Sequence, residues 1–248
     1  KPALLFSTIF VNNSHYMSAA GSSEEFHALV VRAEPDSSRR AQMRGYIDGR
    51  DDHRGGLARY LEAADASDVQ AYLEVGLGRV RASERFRLQG ENRMLSPQKC
   101  PPVLCCLLPC LNSTPTMKAY NNNCPETATV CRGGRRFLID STNLVEGDVV
   151  TVYEGDVVPA DVRVAHVSKG PLQVDVAVLF SAPAKRRKPM IHTASEEEDA
   201  PGVSLLDSRR MLFMGATVTS GTALCIVTAT GRETLWSSMI EMDRWPFK

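Results

Sequence analysis

The sequence predicts a mainly β protein preceded by a small helical subdomain. Three observations carry this expectation. Residues 127–232 break into short runs rich in Val, Ile and Thr, punctuated by Gly-Asp and Pro turns. Residues 57–95 instead set apolar side chains at helical spacing. Between them, residues 96–126 carry Pro97, Pro101, Pro102, Pro109, Pro115 and Pro125. That density prevents a long helix, so the stretch reads as a Pro/Cys-rich linker.

Taken in order, residues 1–56 are poorly patterned, and from about residue 32 they are rich in Asp, Arg, Ser and Gly. The stretch from about 32 to 56 reads as a flexible region. Helical periodicity then begins with Leu57, Tyr60, Leu61 and Ala64 and continues more weakly through Tyr72, Leu73 and Val75. Ser83 is placed to cap a short helix through Glu84, Phe86 and Leu88 that ends at Gly90. The β region spans 127–235. Its expected strands are 127–131, 149–153, 162–167, 172–179, 211–218 and 223–229. Gly147-Asp148, Gly155-Asp156, Pro159 and Gly170-Pro171 separate the first of these. Regular short strands with such turns suggest a sandwich or barrel.

Residues 185–203 interrupt the pattern as a polar insert. It opens basic (Lys185, Arg186, Arg187, Lys188) and turns acidic (Glu196, Glu197, Glu198, Asp199). Such an insert reads as a solvated loop, although a basic tetrad also suits anionic lipid or nuclear import. Residues 236–248 read as the start of a helix leaving the domain.

Composition narrows the function classes. The 248 residues hold 29 basic and 29 acidic side chains, a balance that argues against a nucleic-acid binder, which usually carries a basic face. A hydrophobic content of 43% supports a real core without a disulfide framework. The chain opens at Lys1, not Met, which reads as a fragment. Seven cysteines are present, four of them at Cys100, Cys105, Cys106 and Cys110. Their spacing lacks the C-x2-C knuckle and has no His nearby, so reduced thiols are expected rather than zinc. The apolar runs 3–11 and 103–111 are about half the roughly 20 residues of a membrane span.

An ordered series of motifs carries a resemblance. Thr129-Val130-Cys131-Arg132 precedes Leu144-Val145-Glu146-Gly147-Asp148-Val149-Val150. Gly155-Asp156-Val157-Val158-Pro159-Ala160-Asp161-Val162-Arg163 and Leu172-Gln173-Val174-Asp175 follow. Phe213-Met214-Gly215-Ala216-Thr217-Val218-Thr219-Ser220-Gly221-Thr222-Ala223 and Ala229-Thr230-Gly231-Arg232-Glu233-Thr234 close the series. This order resembles the actuator domain of the P-type cation-transporting (E1-E2) ATPases. Gly90-Glu91-Asn92-Arg93 resembles the signature closing the amino-terminal segment of these pumps. With Phe213-Met214-Gly215 and Ser220-Gly221-Thr222-Ala223, it looks closest to the magnesium-transporting branch; proton and calcium pumps share much of the pattern.

The resemblance implies a distorted jelly-roll or β-sandwich. It also implies a cytosolic module of a membrane pump that uses ATP and Mg2+. The partners would be the phosphorylation domain and membrane helices of such a pump, and membrane association would come only through those other segments. The sequence also departs from the family. Where the family carries a Thr-Gly-Glu-Ser loop after the Val-Asp strand, this chain has Phe180, Ser181, Ala182 and Pro183. The family Glu positions water to hydrolyse a phosphorylated aspartate, a task that needs a carboxylate. Neither an Asp-Lys-Thr-Gly loop nor a Walker-type glycine loop occurs in the 248 residues. The gap between the amino-terminal segment and residue 127 is too short for the family's two-helix membrane hairpin. The chain alone is therefore expected to bind no cofactor or metal and to be catalytically silent. It reads as a degenerate or partial pump. The alternative reading is a stand-alone regulatory module that reuses the actuator fold.

Other catalytic arrangements find little support. His15, His27, His53, His166 and His192 form no metal-spaced pair. Ser181 lacks a Gly-x-Ser-x-Gly frame. Asp148, Asp156 and Asp161 recur at positions that suit turns and strand ends.

Overall fold

A computed structural model describes residues 68–98, 114–180, 188–197, 199–200 and 208–246. Almost all of them fall in one compact unit, Gly56–Asp199 with Arg209–Lys248. The expectations for residues 1–67 and for the cluster Cys100 to Cys110 lie outside the described residues.

Two helices lead in. α1 (Val69–Val75) starts at Asp68, whose carboxylate accepts the Ala71 N–H, and buries Tyr72 and Leu73. α2 (Arg79–Gln89) ends at Gly90 as expected, with the Gly90 N–H donating to Phe86 O. It begins earlier than the sequence suggests. Ser83 is no cap but lies inside the helix, its hydroxyl donating back to Arg79 O. α3 (Pro115–Asn122) occupies the carboxyl end of the expected linker. Pro115 sits in its first turn, where its missing N–H costs no helical bond. Thr114 caps it by accepting the Met117 N–H at 3.3 Å.

The rest is a single sheet of seven strands in the order β2-β1-β3-β7-β4-β5, with β6 paired to β4. All pairings are antiparallel. β1 (Thr127–Arg132) and β2 (Arg135–Asp140) form a hairpin through Gly133-Gly134. β3 is Val149–Val152, with all four residues buried. β4 (Asp161–Asp175) and β7 (Thr217–Ala229) are the long central pair. Their register shifts at five places between Asp161 and Val174. Each such irregularity bends and twists the ladder.

The mainly β expectation holds, and the strand boundaries differ in instructive ways. The runs 162–167 and 172–179 are not two strands. β4 carries straight through Gly170-Pro171 and stops at Asp175, where a short helix α4 (Ala177–Phe180) takes over. Residues Ala177 to Phe180 are all buried, so their apolar run looks the same as a strand or as a helical turn. The run 211–218 divides into β6 (Met211–Leu212) and the start of β7. The polar insert 185–203 contains a strand, β5 (Ile191–Ala194), paired with Leu172 to Asp175 of β4. β2 and β5 were not expected because Arg135-Arg136 and the charged insert mask their alternation. The exit helix α5 (Leu235–Glu241) forms where the sequence places it.

α1 packs on one face of the sheet. Tyr72 and Leu73 join Cys131, Val149, Leu224 and Ile226 in a buried cluster. Burying each such aliphatic side chain is worth about 1.5–3 kcal/mol. The approach is close enough to require glycine at its end. Gly76 has φ +66°, and a Cβ there would lie 2.1 Å from Cys131 O. Tyr72 adds a hydrogen bond from its hydroxyl to Gly147 O. The helical segment is thus built onto the β domain rather than flexibly attached.

Candidate functional site

The carboxylates suggested by the sequence are structural. Asp148 is fully buried and takes two bonds from Arg132, Nε to Oδ1 at 2.7 Å and Nη2 to Oδ2 at 2.5 Å. Its Oδ2 also accepts the Val145 N–H at 2.9 Å. Burial pushes the Asp148 carboxyl up from its ordinary range, against the pull of Arg132. Asp156 closes its turn by accepting the Tyr153 N–H at 2.9 Å. Asp161, also fully buried, joins two distant segments. Its Oδ1 accepts Met214 N–H at 3.0 Å and its Oδ2 accepts Leu235 N–H at 2.7 Å, at the start of α5.

The position of interest is the end of α4. Asp175 stops β4 and starts α4, its Oδ1 accepting the N–H groups of both Ala177 and Met190 at 2.9 Å. Within α4 the Leu179 N–H donates to Val176 O at 3.0 Å. The Val178 carbonyl accepts the indole N–H of Trp245 at 2.7 Å. Phe180 ends α4 with its ring buried at 8% exposure. Ser181, Ala182 and Pro183, the other three candidates, lie outside the described residues.

A second constellation surrounds Asn92, which the sequence singled out by signature and not by role. Its side chain is buried and fully used. Nδ2 donates to Ser141 O and to Pro159 O, both at 2.9 Å. Oδ1 accepts the Gly231 N–H at 2.7 Å. The Asn92 N–H itself donates to Thr142 O at 2.9 Å. One amide therefore ties the end of the amino-terminal segment to three separate loops of the β domain. The missed signal was its burial: an Asn between Glu91 and Arg93 looks exposed in sequence.

Among the described residues, no group of three or more His, Cys, Asp or Glu is arranged to hold a metal ion. His166 Nδ1 meets Glu196 Oε2 at 3.0 Å, while His192 lies on β5 opposite Val174. Cys124, Cys131 and Cys225 are free thiols, each with its pKa raised by burial. Among the described residues no helix is long and apolar enough to cross a membrane.

The described residues build an antiparallel scaffold whose buried carboxylates hold turns and strand ends, with the short buried helix α4 after its longest strand. Residues 122–242, just under half of the chain, match the family described as the P-type ATPase actuator domain. Calcium-transporting ATPase 1 of Schizosaccharomyces pombe (strain 972 / ATCC 24843) is 34% identical over 122 residues, 49% of this chain and 13% of that protein. A probable calcium-transporting ATPase of Trypanosoma brucei brucei is 31% identical over 118 residues, 48% of this chain and 11% of that protein. The chain thus covers only a small part of the length of these relatives. A crystal structure of a zinc-transporting PIB-type ATPase in the E2.Pi state aligns at 20% identity and a TM-score of 0.36. It covers 50% of this chain and 17% of that one.

Proposed function

We propose that this chain is the actuator part of a P-type cation-transporting ATPase whose loop at Phe180, Ser181, Ala182 and Pro183 cannot dephosphorylate an aspartyl phosphate. One observation carries the reading: no carboxylate follows α4 at the place where the family has its Thr-Gly-Glu-Ser loop. Orienting and deprotonating a water needs a group with a suitable pKa within hydrogen-bond reach. The methyl of Ala182 offers none. Phe180 puts a buried ring where the family has a hydroxyl. Pro183 removes a backbone donor.

In a complete pump, ATP and Mg2+ would be handled by the phosphorylation domain, and the actuator would sit on the cytosolic side of the membrane. The branch we propose is the magnesium-transporting one, on the resemblance of Gly90-Glu91-Asn92, Phe213-Met214-Gly215 and Ser220-Gly221-Thr222-Ala223. The two curated relatives above are named for calcium, so transport assays should offer both ions.

The test is a loop transplant. Phe-Ser-Ala-Pro replaces Thr-Gly-Glu-Ser in an intact magnesium-type ATPase. The aspartyl phosphate should still form, and its decay in a chase should slow roughly 100- to 10,000-fold. Restoring Glu alone at the position of Ala182 should recover part of the rate. Normal decay in the transplant would overturn the reading.

A further inference from the structure

The aromatic side chains Tyr120, Trp236 and Trp245 meet at one place. Trp236 and Trp245 pack edge to face at 5.2 Å and 72°. The Tyr120 ring lies 5.7 Å from Trp236 and 6.4 Å from Trp245. Each comes from a segment at a border of the domain. Tyr120 is on α3, Trp236 is on α5, and Trp245 follows α5. The end of the amino-terminal segment joins them, because Tyr120 Oη donates to Met94 O and Leu95 N–H donates to Ser237 Oγ, both at 3.3 Å. Trp236 is fully buried and Trp245 is 4% exposed. So the chain's approaches to the β domain and its departure from it are gathered in one desolvated cluster.

A polar contact joins the cluster to α4, two residues before Phe180. Trp245 Nε1 donates to Val178 O at 2.7 Å, from 67 residues away. Val178 lies in α4, whose last residue is the first of the four loop residues. A four-residue helix has almost no stability of its own. Its geometry is held by Asp175 at its start and by this indole at its carbonyl face.

We infer that Trp245 is a positioning residue that couples α5 and the residues after it to α4 (Ala177–Phe180), so that displacement of that segment moves α4. The ring fixes Trp245 in the cluster, and the N–H carries the position to α4. Val178 is 2% and Trp245 4% exposed, so a carbonyl that lost this donor would be left poorly solvated, which ties breaking of the bond to opening of α4. The inference concerns where α4 is held, and it stands independently of the proposed loss of dephosphorylation.

The experiment is amide hydrogen exchange on the whole chain, comparing wild type with Trp245→Phe. The substitution keeps an aromatic ring in the cluster and removes only the donor. Exchange at Ala177 and Leu179 should rise roughly five- to tenfold, with β3 and β7 unchanged. A merely structural role would instead raise exchange in β3, β7 and α4 together. Tyr120→Phe, which loses its bond to Met94 O and not the one to Val178, should leave α4 unchanged. Wild type gives a second measurement independent of any variant's folding: the Trp245 indole N–H and the Ala177 and Leu179 amides should exchange with one common opening rate across denaturant. Unchanged α4 exchange in Trp245→Phe, a uniform rise across the sheet, or an indole that opens separately from α4 would each overturn the inference. Because none of these readouts uses phosphate, failure here is distinct from failure of the loop transplant.

Discussion

Asn92 accepts the backbone N–H of Gly231 at 2.7 Å across 139 positions of the chain. The bond joins the stretch just after α2 to the short 3-10 turn (Gly231–Glu233) that precedes α5. Around Gly231 the space is tight, with Glu91 O only 3.0 Å from where a Cβ would stand. The carbonyl of Gly231 is also in use, accepting from the hydroxyls of Thr234 and Ser237. The helical segment, the β domain and the exit helix are therefore knitted at one buried amide.

Asn92→Ala should destabilise the chain by about 2–4 kcal/mol, since it strands Pro159 O and Gly231 N–H away from water and takes one of two donors from Ser141 O, which keeps the Leu144 N–H. Asn92→Asp should be nearly as damaging, because a carboxylate keeps the acceptor and loses both donors. Urea unfolding monitored by circular dichroism measures both. A loss below about 1 kcal/mol for Asn92→Ala would mean that the tie is dispensable.

Gly215→Ala should cost about 1–3 kcal/mol or more. The new Cβ would stand 2.3 Å from Cζ3 of Trp236, and the backbone there has φ +89°. Trp236 cannot yield freely, because its ring packs against Trp245 and Tyr120. Tryptophan fluorescence should shift along with the loss of stability, and an unshifted emission would argue that the ring had not moved.

Arg132→Ala should cost roughly 3–5 kcal/mol, because it leaves the buried Asp148 without its guanidinium. The loss should depend on pH. Burial already raises the Asp148 carboxyl, and removing Arg132 raises it further. Between the unfolded and folded pKa values the folded state then holds the extra proton, so stability falls as pH rises. The variant should lie closer to wild type at pH 5 than at pH 7 in paired denaturation curves. A constant difference would contradict this.

Asp140 titrates in the opposite sense. Its carboxylate accepts Thr142 N–H at 3.0 Å and the Thr142 hydroxyl at 2.8 Å, which lowers its pKa. The stability it contributes is present above its ordinary pKa, near 3.9, and is lost as pH falls through the lowered folded value. Thr142→Ala should move the Asp140 midpoint part of the way back up, because the backbone N–H remains. An NMR titration of the carboxyl carbon reads this directly, and an unmoved midpoint would remove the hydroxyl from the account.

Much of the architecture was legible because it rests on local chemistry. β1, β3 and the outer end of β7 show their β-branched runs openly, and Gly90 ends α2 because a helix end favours a residue without Cβ. The motif series from Thr129 to Thr234 marked the actuator family. The carboxylates of Asp148, Asp156 and Asp161 were correctly read as holding turns and strand ends. The proposed departure at Phe180, Ser181, Ala182 and Pro183 rests on residue identity, since none of the four side chains carries a carboxylate.

Other features were settled only by contacts between residues far apart in sequence. Val176 to Phe180 is apolar throughout, so no period separates strand from helix; Asp175, by capping Ala177, makes it a helical turn. β5 sits inside a charged insert and exists because the edge of β4 offers unpaired backbone groups at Leu172 to Asp175. Asn92 and Trp245 each act across 67 residues or more. A hydrogen bond of that span leaves no local pattern, since the donor's neighbours in sequence say nothing about which distant carbonyl will be buried beside it. Local propensity determined the strands, turns and caps, while desolvation in the closed fold selected the partners of the few buried polar groups.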